Sequence, residues 1–143
     1  MRCHGEVIPV VRRGRRRARP LVAAALLAAA GVGACARSED TSLTAAAQLT
    51  GGDPANGKAA IRYYGCGSCH TIPGVDGATA QVGPPLAGLA GRAYIAGVLP
   101  NTPDNLIRWI QNPPGIDEKT AMPNVGVTAR DARNIAAYLY TLK

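Results

Sequence analysis

Apolar positions are distributed along the chain in several distinct ways. Residues 21–34, LVAAALLAAAGVGA, form one uncharged block. Residues 36–52, ARSEDTSLTAAAQLTGG, are small and polar, show neither a helical nor a strand period, and end in Gly-Gly. From Asp53 onward the pattern turns helical. Asp53 and Pro54 have the chemistry of an N-cap and a first helical position, and predict a helix to Tyr64. Thr102, Pro103 and Asp104 open a second, whose Leu106, Trp109 and Ile110 share one face before Asn112-Pro113-Pro114 ends it. Thr128-Ala129-Arg130-Asp131 starts a third in the manner of a capping box with Asp in place of Glu. Ile135, Tyr138, Leu139 and Leu142 line its apolar stripe. No repeat and no strand-like alternation is visible. The expected fold is all-α, with three to five short helices.

At 143 residues the chain has room for one domain. It has no Phe, one Trp, 17 Gly and 11 Pro, so it is short of large side chains to fill a core. A non-protein group would fill the deficit. The formal charge of +7 resembles that of a nucleic-acid binder until it is located. Arg2, Arg12, Arg13, Arg15, Arg16, Arg17 and Arg19 all lie in residues 1–34, with Glu6 the one acid there. The remaining nine bases and eight acids leave residues 35–143 near neutral. No nucleic acid is expected as partner, because that needs positive charge on the folded part.

The basic start, the apolar block and the small residues before Cys35 have the form of a secretory signal over residues 1–34. A membrane span would need roughly 20 apolar residues, more than this block offers. Val32-Gly33-Ala34-Cys35 resembles a bacterial lipobox, in which the Cys is acylated and becomes the N-terminus. Ordinary cleavage after Ala34 also suits the pattern. Acylation would account for Cys35, which otherwise remains a lone thiol beside the pair Cys66 and Cys69. Residues 35–52 then read as a lipid-anchored flexible tether, with a span of roughly 20–25 Å. The chain is expected to be exported and held at the periplasmic face of a bacterial membrane, with a soluble periplasmic form as the alternative.

Cys66-Gly67-Ser68-Cys69-His70 is the stretch that carries chemistry. C-x-x-C-H is the attachment signature of c-type haem. Two thiols three positions apart add to the two vinyl groups, and the next residue sets an imidazole under the iron. A disulfide between the two Cys is also compatible with an oxidising compartment, but leaves His70 without a role. A zinc site needs more ligands than these. A thioredoxin-like pair needs a βαβ context that the surroundings lack. With haem, the iron needs a sixth ligand. His4 and Met1 lie in the leader, which leaves Met122, in Thr120-Ala121-Met122-Pro123-Asn124, as the soft donor.

Residues 53–143 resemble the class I cytochrome c family, in its small monohaem form. Gly57 and Ile61 match the family's Gly and aromatic where the first helix crosses the last, with Ile replacing the aromatic; Ile135 and Tyr138 match the other side of that crossing. Gly83-Pro84-Pro85-Leu86 matches G-P-x-L. The resemblance implies that the Pro84 carbonyl accepts the His70 ring N–H and that Leu86 packs on the haem. Gly88-Leu89-Ala90-Gly91-Arg92 is similar to G-L-x-G-R, whose Arg meets a propionate. Trp109 takes the place of the aromatic beside the Met ligand, and Thr120 that of a Thr able to bond a propionate. The segment from His70 to Met122 is short for the family.

The resemblance implies an electron carrier rather than an enzyme, with one covalent haem c shuttling electrons from a bc-type complex or another membrane donor. The acceptor would be a terminal oxidase or periplasmic redox enzyme. A dedicated haem subunit of a periplasmic dehydrogenase or oxidase is the alternative, and a haem-based sensor would need Met122 to leave the iron. Partner docking is expected at the rim formed by 71–82 and 116–125, where charge is sparse and Ile72, Val75, Val82 and Val125 supply apolar surface.

Overall fold

The computed structural model describes residues 40–143. Residues 40–50 are helical (α1). Helix α2 spans Pro54–Tyr63, α3 spans Pro103–Gln111 and α4 spans Ala129–Tyr140. A 3-10 turn covers Cys66–Ser68 and another Leu89–Gly91. Two short strands, β1 (Tyr94–Ile95) and β2 (Leu99–Pro100), pair antiparallel in the register Tyr94 with Pro100 and Ile95 with Leu99. The signal region 1–34 and Cys35 lie outside the described residues.

Each predicted helix start has the expected cap. Asp53 accepts from the amides of Ala55 at 2.7 Å and Asn56 at 3.2 Å, with Pro54 following. Thr102 accepts from Asn105 N. Thr128 Oγ1 accepts from Asp131 N and donates to Asp131 Oδ2, but the Thr128 amide, which a full capping box would give to the Asp carboxylate, donates to Tyr64 OH at 3.4 Å, so the Asp closes only half of the box. These side chains satisfy amides that have no partner within the first turn. The apolar faces also lie inward: Leu106, Trp109 and Ile110 on α3, and Ile135 and Leu139 on α4, are buried in one cluster with Ile61 and Leu89.

The α2–α4 crossing is very close. A Cβ placed on Gly57 would lie 2.0 Å from Asn134 O and 3.0 Å from Tyr138 Cβ. Glycine at 57 therefore lets the two backbones touch, as the family resemblance implies. The facing residues are Asn134 and Tyr138, one position displaced from the expected Ile135 on one side. Ile135 is buried in the core instead.

Two sequence expectations need correction. Residues 36–52 read as an irregular tether, yet 40–50 are helical and belong to the same folded unit as the rest. Ala46 and Thr50, 2% and 5% exposed, are the inward positions. Small and polar residues made that face, so no apolar stripe announced it. The Gly-Gly is the joint to α2: a Cβ on Gly52 would meet Arg133 O at 2.2 Å, and Asp53 N donates to Asn134 Oδ1 at 2.9 Å. The second correction is the β1–β2 hairpin. Two-residue strands are too short to show alternation. Their turn has positive φ at Ala96 and Gly97, with Val98 N donating to Ile95 O, which is the primed geometry of tight hairpins.

Two outcomes are expected. Gly57→Ala should lower the free energy of unfolding by about 2 kcal/mol, since the crossing must open to admit a methyl group; denaturant unfolding of the haem-loaded protein measures it. Asp131 accepts from Thr128 and from Tyr64 OH, and these bonds hold its carboxyl below its ordinary range. Its contribution is then complete above the ordinary carboxylate pKa and lost as pH falls through the lowered one. Asp131→Asn should be less stable than wild type near neutral pH, and thermal melts across a pH series should show that gap closing in acid.

Candidate functional site

The site is built from the C-terminal end of α2 outward. Tyr64 caps that helix, and its hydroxyl donates to Asp131 Oδ2 at 2.9 Å, fastening the end of α2 to the start of α4. Gly65, with φ of 70°, turns the chain into the Cys66–Ser68 turn. Ser68 Oγ donates to Gly65 O at 2.8 Å, and His70 N donates to Cys66 O at 3.1 Å, which closes the turn over Cys69. Cys66 and Cys69 are both free thiols and both half-buried. Burial pushes the Cys66 thiol up from its ordinary range, so it is held neutral.

His70 is oriented from the far side of the site. Its Nδ1 lies 2.8 Å from Pro84 O. A carbonyl oxygen only accepts, so Nδ1 carries the proton and the lone pair is left on Nε2. That is the tautomer that ligates a metal through Nε2 with a carbonyl holding the other nitrogen. The ring sits so close to the chain that a Cβ on Gly83 would lie 2.4 Å from His70 Cε1. Gly83 N donates to Cys69 O at 2.8 Å, and Leu86 N to Thr71 O at 2.9 Å, so residues 83–86 are laced to the chain on either side of His70.

Arg92 has a role within the chain in addition to the one the family resemblance implies. Its Nη2 donates to the carbonyls of Pro85 and Ala87, so part of the guanidinium braces the loop that carries Pro84. Nε and Nη1 have no partner among the described residues and stay free for a carboxylate. Asn101 holds the same region from below, donating to Leu89 O and Arg92 O and accepting from Tyr140 OH. Sequence reading missed Asn101; a lone Asn after a short strand carries no pattern.

Leu86 and Met122 are half-buried and pack, with Cys66, against the core cluster that contains Trp109. The structure thus brings Cys66, Leu86, Trp109 and Met122 around one apolar core. Thr120 Oγ1 accepts from Met122 N at 3.2 Å, which leaves its own hydroxyl proton to donate. The rim differs from expectation. Ile72 and Val75 are core residues, 2% and 7% exposed, because the 71–78 loop folds under the Cys66 turn; among the four apolar rim residues named above, Val82 at 79% and Val125 at 47% remain outside.

The donor set suits one large flat group better than one ion. Among the described residues, no three of His, Cys, Asp and Glu gather as a metal cluster. Two thiols on one turn can make two covalent links, and the Nε2 lone pair of His70 would then be available to a metal at the group's centre. Met122 carries a thioether on the apolar cluster that Cys66 also packs against. These features fit a haem attached through Cys66 and Cys69.

Comparisons with known proteins agree. The Cytochrome c family profile matches residues 54–143. Among curated proteins, "Cytochrome c oxidase subunit 2" of Alkalihalophilus pseudofirmus is 31% identical over 88 residues, which is 61% of this chain. The match spans 25% of that relative's length. No solved structure matches significantly.

Gly83→Ala tests the tight seat of His70. The added methyl must push the imidazole aside or break its bond to Pro84 O. The variant should retain both Cys and covalent haem yet show a perturbed axial field, read as a shifted Soret band and a changed reduction potential. An unchanged spectrum and potential would count against the seat as the control of the ring.

Proposed function

The chain belongs to the cytochrome c family, and from that premise we propose that it is a one-electron carrier whose iron is held by His70 and Met122. Haem-based electron transfer is the family's chemistry. When bound, the haem supplies a one-electron iron couple. The rest is the work of this chain. Cys66 and Cys69 tether the group, and the Pro84 carbonyl keeps the His70 lone pair aimed. Trp109, Leu86 and Leu106 exclude water, and Arg92 and Thr120 have free donors for propionates. The observation that carries the reading is the His70–Pro84 bond beside the free thiol pair, with Met122 the one Met among the described residues.

With His70 and Met122 both holding the iron in either oxidation state, the geometry would change little on electron transfer, and no position would be left for a substrate, which favours a carrier over a peroxidase or oxygenase. A Met ligand and a dry pocket favour a positive potential. We place the protein at the periplasmic face of a membrane, exported through residues 1–34 and anchored at Cys35. There it would take electrons from a bc-type complex or a similar donor. The oxidase-subunit relative supports a terminal oxidase as acceptor. It supports equally a second reading, a dedicated haem subunit bound permanently to an oxidase complex.

Two measurements test this. Met122→Ala should keep covalent haem, lower the potential and let carbon monoxide bind the ferrous form. The same potential with no new ligand binding would refute ligation by Met122. Mass spectrometry of the mature N-terminus should find an acylated Cys35, and an unmodified thiol there would refute the anchor.

A further inference from the structure

Residues 113–120, the limb that leads to Met122, are well anchored. Pro113 is fully buried, and its carbonyl accepts from Ile116 N and Asp117 N. Thr120 N donates to Asp117 O, and Lys119 N to Asp117 Oδ1. The limb that leaves Met122 has no such frame. Residues 121–127 make no backbone–backbone hydrogen bond among the described residues. Met122 N reaches only the Thr120 hydroxyl two positions back, and Gly126 N only Asn124 Oδ1 within the same limb. One hydrogen bond ties this limb to an element outside the loop: Asn124 Nδ2 donates to Asn112 Oδ1 at 3.2 Å.

Asn112 is a firm post for that bond. It is the C-cap of α3, its amide donates to Arg108 O at 3.1 Å, and it precedes the buried Pro113. Its side chain lies over Gly115 so closely that a Cβ there would meet Asn112 Nδ2 at 2.2 Å. Gly115 N also donates to Asn112 O. On α3, Trp109 and Ile110 are buried in the core. The Asn side chain therefore projects from a rigid helix end toward a segment that is otherwise held only by packing at Met122 and Val127.

We propose that the Asn112–Asn124 hydrogen bond is a latch that sets how firmly Met122 is held at the iron, and so how fully the sixth position stays closed. Both Asn are positioning residues. Neither is assigned a contact with the haem. The proposal rests on Met122 being the sixth ligand. With the latch made, the return limb is closed on α3 and the thioether cannot swing out without breaking it. With the latch removed, the Met-off state loses one competing interaction. Its population should rise about fivefold, the equilibrium value of one ordinary hydrogen bond. An outside ligand that needs the open position gains apparent affinity by the same factor.

The test uses the haem-loaded protein and two probes, carbon monoxide for the ferrous form and imidazole for the ferric form, well below the melting temperature. Asn124→Ala and Asn112→Ala should each raise the apparent affinity for both probes about fivefold and weaken the red-edge absorption band of Met-ligated ferric haem. Asn112→Asp keeps the acceptor oxygen and should stay near wild type, which a merely structural loss would not predict. Should one Ala variant fail to fold, the other breaks the same bond from the opposite side. Wild-type affinities in a folded Asn124→Ala or Asn112→Ala protein would overturn the latch. If wild type lacks the Met-ligated band and Met122→Ala leaves probe binding unchanged, the ligation reading itself fails, and the latch with it.

Discussion

The crossing of α2 and α4 at Gly57 is the constraint on which the rest of the fold depends. The backbones meet there with no side chain between them on the α2 side. That closeness sets the direction of α2, and α2 delivers the Cys66 turn. The same pair of helices is joined again at the other end of α2, where Tyr64 binds Asp131 at the start of α4. A close crossing and a hydrogen-bonded end together define where two thiols and an imidazole emerge. A small domain without Phe cannot rely on bulky side chains for such placement, so it relies on backbone contact.

The imidazole is held by a chain of supports. Pro84 O binds His70, Arg92 braces the carbonyls on either side of Leu86, and Asn101 binds the turn that carries Arg92. Tyr140 ties Asn101 back to α4. Most of these bonds end on backbone carbonyls. Such bonds depend on chain path more than on side-chain identity, so a segment of Gly and Pro with little secondary structure can still be rigid. The Met122 side is built in the opposite way. It has one framed limb and one nearly free limb, and that asymmetry underlies the proposed latch.

The proposed apolar docking rim is smaller than the chain of Val and Ile residues implies. Ile72 and Val75 are buried in the core cluster and present no surface to a partner. The near-neutral charge of residues 35–143 is unaffected by this, so steering by a strong field has no more support than before.

The residues by themselves determined the elements whose causes are local. Caps at Asp53, Thr102 and Thr128 act within one turn, and the apolar stripes of α3 and α4 repeat with the helix period, so those helices could be read within a residue or two. The C-x-x-C-H motif is local chemistry and was equally legible. Tertiary structure decided what depends on partners distant in the chain. It made a helix of residues 40–50, whose inward face is an alanine and a threonine and becomes recognisable only as a buried face. It drew Ile72 and Val75 inside, placed Arg92 on carbonyls, and paired Asn112 with Asn124. In each case the deciding contact joins residues with no periodic relation, and a linear pattern carries no signal for a contact that exists only once the chain has closed on itself.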